Sequence, residues 1–178
     1  MYVLGICNDE TASACLFKNG TLLSAVSEER FSRIKQDNSF PIKSINFVLK
    51  NANIALKDIK YISYSWFKGI DSNLLLNYLN RYDKLSNNSV SKRFFKERII
   101  WELERDRIKR KEFDDWISKK IDLKKAKVFD FYHHEAHASS ASLLSPFNEG
   151  IVLTSDARGD FESLTISKFS GPDCGGIS

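Results

Sequence analysis

Two short apolar runs, residues 13–17 and 22–26, flank Lys18-Asn19-Gly20, and that spacing leaves the start of the chain little choice. An Asn-Gly pair supplies the positive φ values a tight hairpin needs, so the two runs are predicted to pair as antiparallel strands. A preceding run over residues 2–7 turns the first thirty residues into a β-meander. After Phe40-Pro41, the apolar residues Ile45, Val48, Leu49 and Ala52 fall three and four apart. That is the period of a helix burying one face, with proline tolerated at its start. Residues 61–66 then read as a strand, closed by Lys68-Gly69.

From Asp71 to about Lys125 the texture changes to helix-forming stretches dense in Lys, Arg, Glu and Asp, and residues 71–125 are predicted to be an inserted helical segment. Its basic run, residues 105–111, sits among Glu102, Glu104, Asp106 and Glu112, which favours a solvated face with local ion pairs over an RNA- or phosphate-binding patch. Trp101, Leu103, Ile108 and Phe113 are expected in the core. Order returns with a strand at 126–131, a helix at 133–144 that Pro146 helps to end, a strand at 151–155, a polar turn at 156–159 and a strand at 164–169. A meander followed by strand, helix and strand is a mixed α/β pattern. The domain is read as residues 1–170, with 171–178 a flexible tail and no further helix to cover the last strand.

At 178 residues the chain has room for one ordinary domain or one half of a larger one. With 42% hydrophobic and 28% charged residues it has a globular composition, and 27 basic against 23 acidic residues is too small an excess to imply a nucleic-acid partner. Cys7, Cys15 and Cys174 have no CxxC spacing, which excludes a disulfide framework or cysteine-rich zinc site and favours a reducing compartment. With no basic leader before an apolar run, and no stretch of ~18 apolar residues, a soluble cytoplasmic protein without a membrane partner is expected.

The chemistry concentrates in Phe131-Tyr132-His133-His134-Glu135-Ala136-His137-Ala138, which holds all three histidines. On a helix, His133 and His137 lie one turn apart on one face and could hold one metal through two imidazoles, while His134 and Glu135 point elsewhere. The bland alternative is a set of ordinary hydrogen bonds. The order is not HExxH, which disfavours a metalloprotease. A carboxylate is wanted to complete the set, and Asp156, at a strand end in Ser155-Asp156-Ala157-Arg158-Gly159-Asp160, is the candidate; a plain Asx turn is the competing reading. In Ser27-Glu28-Glu29-Arg30-Phe31-Ser32-Arg33-Ile34-Lys35, Arg33 and Lys35 could grip an anion, or Glu28 or Glu29 could simply pair with Arg30. The small and polar residues of the first hairpin, Gly5-Ile6-Cys7-Asn8-Asp9-Glu10-Thr11-Ala12-Ser13-Ala14, could let phosphate approach the backbone, but a P-loop ending is missing.

Taken in order, GICNDETASACLFKNGTLLSAVSEERFSRIKQDNSFP at 5–41, HHEAHASSA at 133–141 and LTSDARGD at 153–160 resemble the N-terminal region of the nodulation-type O-carbamoyltransferase family. The long middle segment carries none of the resemblance. It implies a ribonuclease-H-like half of an acetate-kinase/Hsp70/actin-type domain, with a mixed sheet, similar to the tRNA threonylcarbamoyl-adenosine synthesis protein family. It also implies an enzyme that moves a carbamoyl group from carbamoyl phosphate, by way of an ATP-derived carbamoyl-adenylate, to a hydroxyl of a sugar or other small molecule. His133, His137 and Asp156 match the family's metal-ligand positions, the metal being divalent, iron(II) by the resemblance, with another aspartate due from a second half. Under that reading Asp9, Arg33, Lys35, Arg158 and Gly159 are the candidates for nucleotide or substrate contact.

Two positions depart from that pattern. Glu10-Thr11 stand where many relatives have His-Asp or His-Asn, leaving Glu10 as a substitute base, and Asp156-Ala157 replaces the usual Asp-Gly, adding a methyl group where backbone could approach phosphate. The chain is expected to turn nothing over alone, its partner being the remainder of its own chain or a separate second half. The alternative is a non-catalytic binding module that works with a partner chain.

Overall fold

The computed structural model describes residues 1–66, 89–157, 159 and 162–170. Arg158, Cys174, the tail 171–178, residues 71–88 of the segment read as inserted, and the Leu103 side chain lie outside the described residues.

The predicted hairpin forms: β1 (Tyr2–Cys7) pairs antiparallel with β2 (Ser13–Lys18), and β2 with β3 (Thr21–Ser27). Asn19 and Gly20, at φ 51° and 84°, are the two left-handed central residues of the connecting turn. The chain then makes a short helix α1 (Glu29–Ser32), a helix α2 (Ile42–Asn51), a strand β4 (Tyr61–Tyr64), a long helix α3 (Ser89–Lys120), a strand β5 (Lys127–Asp130) and a helix α4 (His133–Leu143). Strands β1, β4 and β5 are mutually parallel, and the sheet order is β3-β2-β1-β4-β5. Every strand but β2 therefore runs the same way, the mixed sheet that the resemblance implies. One sheet edge collects the carboxyl ends of β1, β3, β4 and β5, where open α/β sheets place their ligands.

Strand alternation sorts the two faces. Leu4 and Ile6 of β1, Ala14 and Leu16 of β2, and Ile62 and Tyr64 of β4 point to one face and are buried against Ile45, Val48 and Leu49 of α2 and Phe113 and Ile117 of α3. On the other face the residues are small: Gly5, Cys7, Ser13, Cys15, Ser63 and Ser65 floor an open cleft of about 630 Å³ beside α4. Gly5 is required there, because a Cβ would meet Cys15 Sγ at 2.5 Å. Burial pushes the Cys7 and Cys15 thiols up from their ordinary range, which keeps both protonated.

The long helix corrects part of the sequence reading. Trp101 and Ile108, expected in the core, are 51% and 59% exposed, whereas Phe113 is 1% exposed. Among the described residues the helix reaches the core through Phe113, Trp116 and Ile117, with Ile121 just past its end; the Trp101 ring is instead covered by the guanidinium groups of Arg98 and Arg105, at 4.8 Å and 5.7 Å from its centre. Nor is the basic run merely solvated. Arg110 bonds Asp130 at 2.6 Å as well as its helical neighbour Asp114 at 3.0 Å, and Lys109 donates to the carbonyl of Asn38.

Strands β6 (Glu149–Ser155) and β7 (Leu164–Ser170) form a separate antiparallel pair. Val152 and Phe169 on one face of this pair pack with Ala138 of α4. Among the described residues no helix is long and apolar enough to cross a membrane.

Candidate metal centre

Helix α4 begins at the sheet edge just described. Tyr132 is extended (φ −62°, ψ 142°), and its N–H donates to the Glu135 carboxylate at 3.3 Å, so a glutamate in the first turn ties down the helix entry. His133 and His137 then stand one turn apart, as their spacing predicts. Asp156 lies just past the end of β6, where its N–H donates to the carbonyl of Ser163 at 2.8 Å and closes the β6–β7 connection. Its carboxylate serves both readings of the sequence. Oδ1 accepts the Ala157 N–H at 2.6 Å in a local turn, while Oδ2 faces His133 Nε2 at 2.9 Å and His137 Nε2 at 3.3 Å.

The two imidazole Nε2 atoms are themselves 2.9 Å apart. Three lone-pair donors thus converge on one point, the only such group of metal-holding side chains among the described residues. Ligands at right angles on bonds of roughly 2.1 Å would sit about 3.0 Å apart, so the separations suit one face of an octahedron around a cation with open positions opposite. Two imidazoles and one carboxylate are also the donor set of mononuclear iron(II) sites, so the residues fit the ion the resemblance implies. The His133 hydrogen bond, assisted by Ala157 N–H and His137 against partial burial, holds the Asp156 carboxyl below its ordinary value and keeps it an anion. The indole of Trp66, just past β4, stacks on His133 with ring centres 4.4 Å apart. Sequence reading passed over this tryptophan, whose place at a strand end was the available signal.

His134 was read as pointing elsewhere, and it points inward. The ring is buried, with Nδ1 2.6 Å from Thr154 Oγ1 and Nε2 2.8 Å from the carbonyl of Glu162. Gly159 lies against it, its N–H donating to the same carbonyl at 2.7 Å.

The first loop holds the other acids. Arg105 of α3 reaches Asp9 at 3.5 Å and Glu10 at 3.7 Å, and the Asn8 amide donates to the Lys109 carbonyl at 3.0 Å. Nothing short of the tertiary fold reveals Arg105 as their partner. Glu28 is likewise a structural surprise: its buried carboxylate accepts the N–H groups of Lys43 and Ser44, at 3.1 Å and 2.8 Å, and the Ser44 hydroxyl at 2.7 Å. A charge placed at the first turn of α2 satisfies its unpaired donors and opposes its dipole. Glu29 is the residue that pairs with Arg30, at 3.6 Å. With both glutamates engaged, Arg33 and Lys35 are exposed near the shared sheet edge, Arg33 in the left-handed region at φ 62°.

A family model described as the carbamoyltransferase N-terminus matches residues 3–173, and the chain belongs to that family. It is 32% identical over 168 residues to an uncharacterised protein of Synechocystis, covering 90% of this chain and 25% of that protein. It is 27% identical over 161 residues to the nodulation protein NolNO of Sinorhizobium fredii, covering 90% of this chain and 21% of NolNO. The chain thus spans a quarter or less of the length of these curated relatives. Among solved structures, YeaZ from Pseudomonas aeruginosa is similar over 42% of this chain and 32% of its own, at 17% identity and a TM-score of 0.28, too slight a likeness to add to the fold reading.

Proposed function

We propose that this chain supplies the metal-holding part of an O-carbamoyltransferase, an enzyme that takes a carbamoyl group from carbamoyl phosphate, through an ATP-derived carbamoyl-adenylate, to a hydroxyl of a sugar or other small molecule. The observation that carries the reading is the convergence of His133, His137 and Asp156 with ligand atoms 2.9–3.3 Å apart at the carboxyl edge of the sheet. When bound, a divalent ion, iron(II) by family resemblance, would polarise the carbamoyl carbonyl or hold the adenylate phosphate. Asp156 orients both imidazoles through Oδ2, and Trp66 restrains the plane of His133. Arg33 and Lys35, with Arg158, are the candidates for gripping phosphate oxygens. Of the two acids held by Arg105, Glu10 keeps its side chain 74% exposed and so has room to take the proton of an attacking hydroxyl, while Asp9 shapes the loop for nucleotide. A further aspartate and the other wall of the cleft would come from the remainder of the chain or a separate second half.

Anaerobic titration of the chain with iron(II) tests the reading. One equivalent is expected to bind, and Asp156→Ala should weaken it by about tenfold or more. Stoichiometric binding that ignores both Asp156→Ala and His137→Ala would remove the basis of the proposal. Carbamoyl-phosphate-dependent turnover by these 178 residues alone would overturn the assignment of the remaining machinery to another segment.

A further inference from the structure

We infer that His134, which ligates nothing, is the positioning residue that sets Asp156 opposite the two metal-holding histidines. The inference rests on the metal reading above and adds a residue to it. His134 sits between His133 and His137 in sequence, yet its ring is buried and reaches from β6 to the residue just ahead of β7: Nδ1 meets Thr154 Oγ1 of β6 at 2.6 Å, and Nε2 meets the Glu162 carbonyl at 2.8 Å. A carbonyl only accepts, so Nε2 carries a proton and donates. Nδ1 shares a second hydrogen bond with the Thr154 hydroxyl, which is also hydrogen-bonded to Thr165 Oγ1 at 2.7 Å. The imidazole therefore clasps both ends of the connection that carries Asp156, from the same helix that carries the other two ligands.

Gly159 shows how closely the clasp is fitted. A Cβ there would lie 2.3 Å from His134 Cδ2, 2.7 Å from its Nε2 and 2.8 Å from the Glu162 carbonyl oxygen, so this backbone is pressed onto the imidazole with no room for a side chain. Gly159 is held against His134, while Asp156 reaches towards His133 and His137. A helical turn thus fixes all three ligands, two directly and the third through a neighbour. Removing the clasp leaves each ligand present but releases the carboxylate from register, and outer partners of this kind characteristically change metal affinity by about 10- to 100-fold.

Three variants of the chain, His134→Ala, His134→Gln and Thr154→Val, would be titrated with cobalt(II), whose visible absorption reports ligand geometry. Each would also be followed by amide hydrogen exchange and thermal melting. The expected result is at least about tenfold weaker cobalt binding for the alanine variant, with a changed spectrum. Binding nearer wild type is expected for the glutamine variant, whose amide can still donate to the Glu162 carbonyl. Exchange should quicken at Asp156 and Gly159 in the alanine variant while β1 and β4 stay protected. Thr154→Val keeps its shape and so separates loss of the clasp from loss of the fold. Unchanged cobalt affinity and unchanged exchange at Asp156 in a folded alanine variant would overturn the inference. Faster exchange at Asp156 in a chain whose wild type binds no cobalt would uphold the clasp and overturn the metal reading instead.

Discussion

The five-stranded sheet and the β6–β7 pair lie side by side in one chain and are held together on different terms. Among the described residues the larger sheet buries twelve in one cluster between its inner face and helices α2 and α3, with Tyr64 and Phe113 stacked 4.1 Å apart. Among the described residues the strand pair's buried hydrophobic cluster is Ala138, Val152 and Phe169, while Ile151, Leu153, Leu164 and Ile166 are between 52% and 75% exposed on its outer face. The candidate site is assembled across the junction, since both histidines stand on the helix that follows β5 and the carboxylate stands at the end of β6. Global stability and site geometry are therefore separable properties, the first residing in the sheet and the second depending on how firmly the strand pair is fastened to α4.

Breaking the larger core gives the largest effect. Phe113→Ala removes a fully buried ring and should lower the free energy of unfolding by about 3–5 kcal/mol, read from a urea transition. A loss below about 1 kcal/mol would mean that α3 is not integral to the sheet. Phe169→Ala sharpens the contrast. It should strip amide protection from β6 and β7 and weaken metal binding while β1 and β4 keep theirs, whereas equal loss in both sheets would show one cooperative unit. The smallest effect lies within the body. Hydrogen bonds from Ser32 and Ser39 hold the Asp37 carboxyl at about 2 against an ordinary 3.8. The folded state thus favours the ionised form, a contribution fully present above the ordinary value and lost as pH falls towards about 2. Asp37→Asn should accordingly melt below wild type near neutrality, with the gap closing through that acid window; a gap that persists unchanged would refute this origin.

What could be read from the residues alone was whatever is local. The Asn19-Gly20 turn, the buried stripe of Ile45, Val48 and Leu49, and the one-turn spacing of His133 and His137 all follow from neighbours within a few positions, where backbone geometry decides. Asp156 was legible as a ligand candidate because it ends a strand. His134 was not legible as a clasp, because its partners, Thr154 of β6 and Glu162 just ahead of β7, are placed by a later strand pair whose register the sequence leaves open. Arg105 looked like one charge among many and is in fact bound to Asp9 and Glu10 at the other end of the chain. Trp101 and Ile108 misled in the opposite direction: apolar residues on a helix charged on every side need not face a core.

The outer ladder of the β6–β7 pair has a practical consequence for the colloidal behaviour of the chain. Four branched apolar side chains on one face of a two-stranded ribbon, with Glu149 and Lys168 as the charged residues beside them, form an adhesive strip of the kind that drives face-to-face association. A solution of these residues by themselves should scatter light increasingly with concentration and with salt that screens the lysine, and an acidic residue placed at Leu153 or Ile166 should make it markedly more soluble.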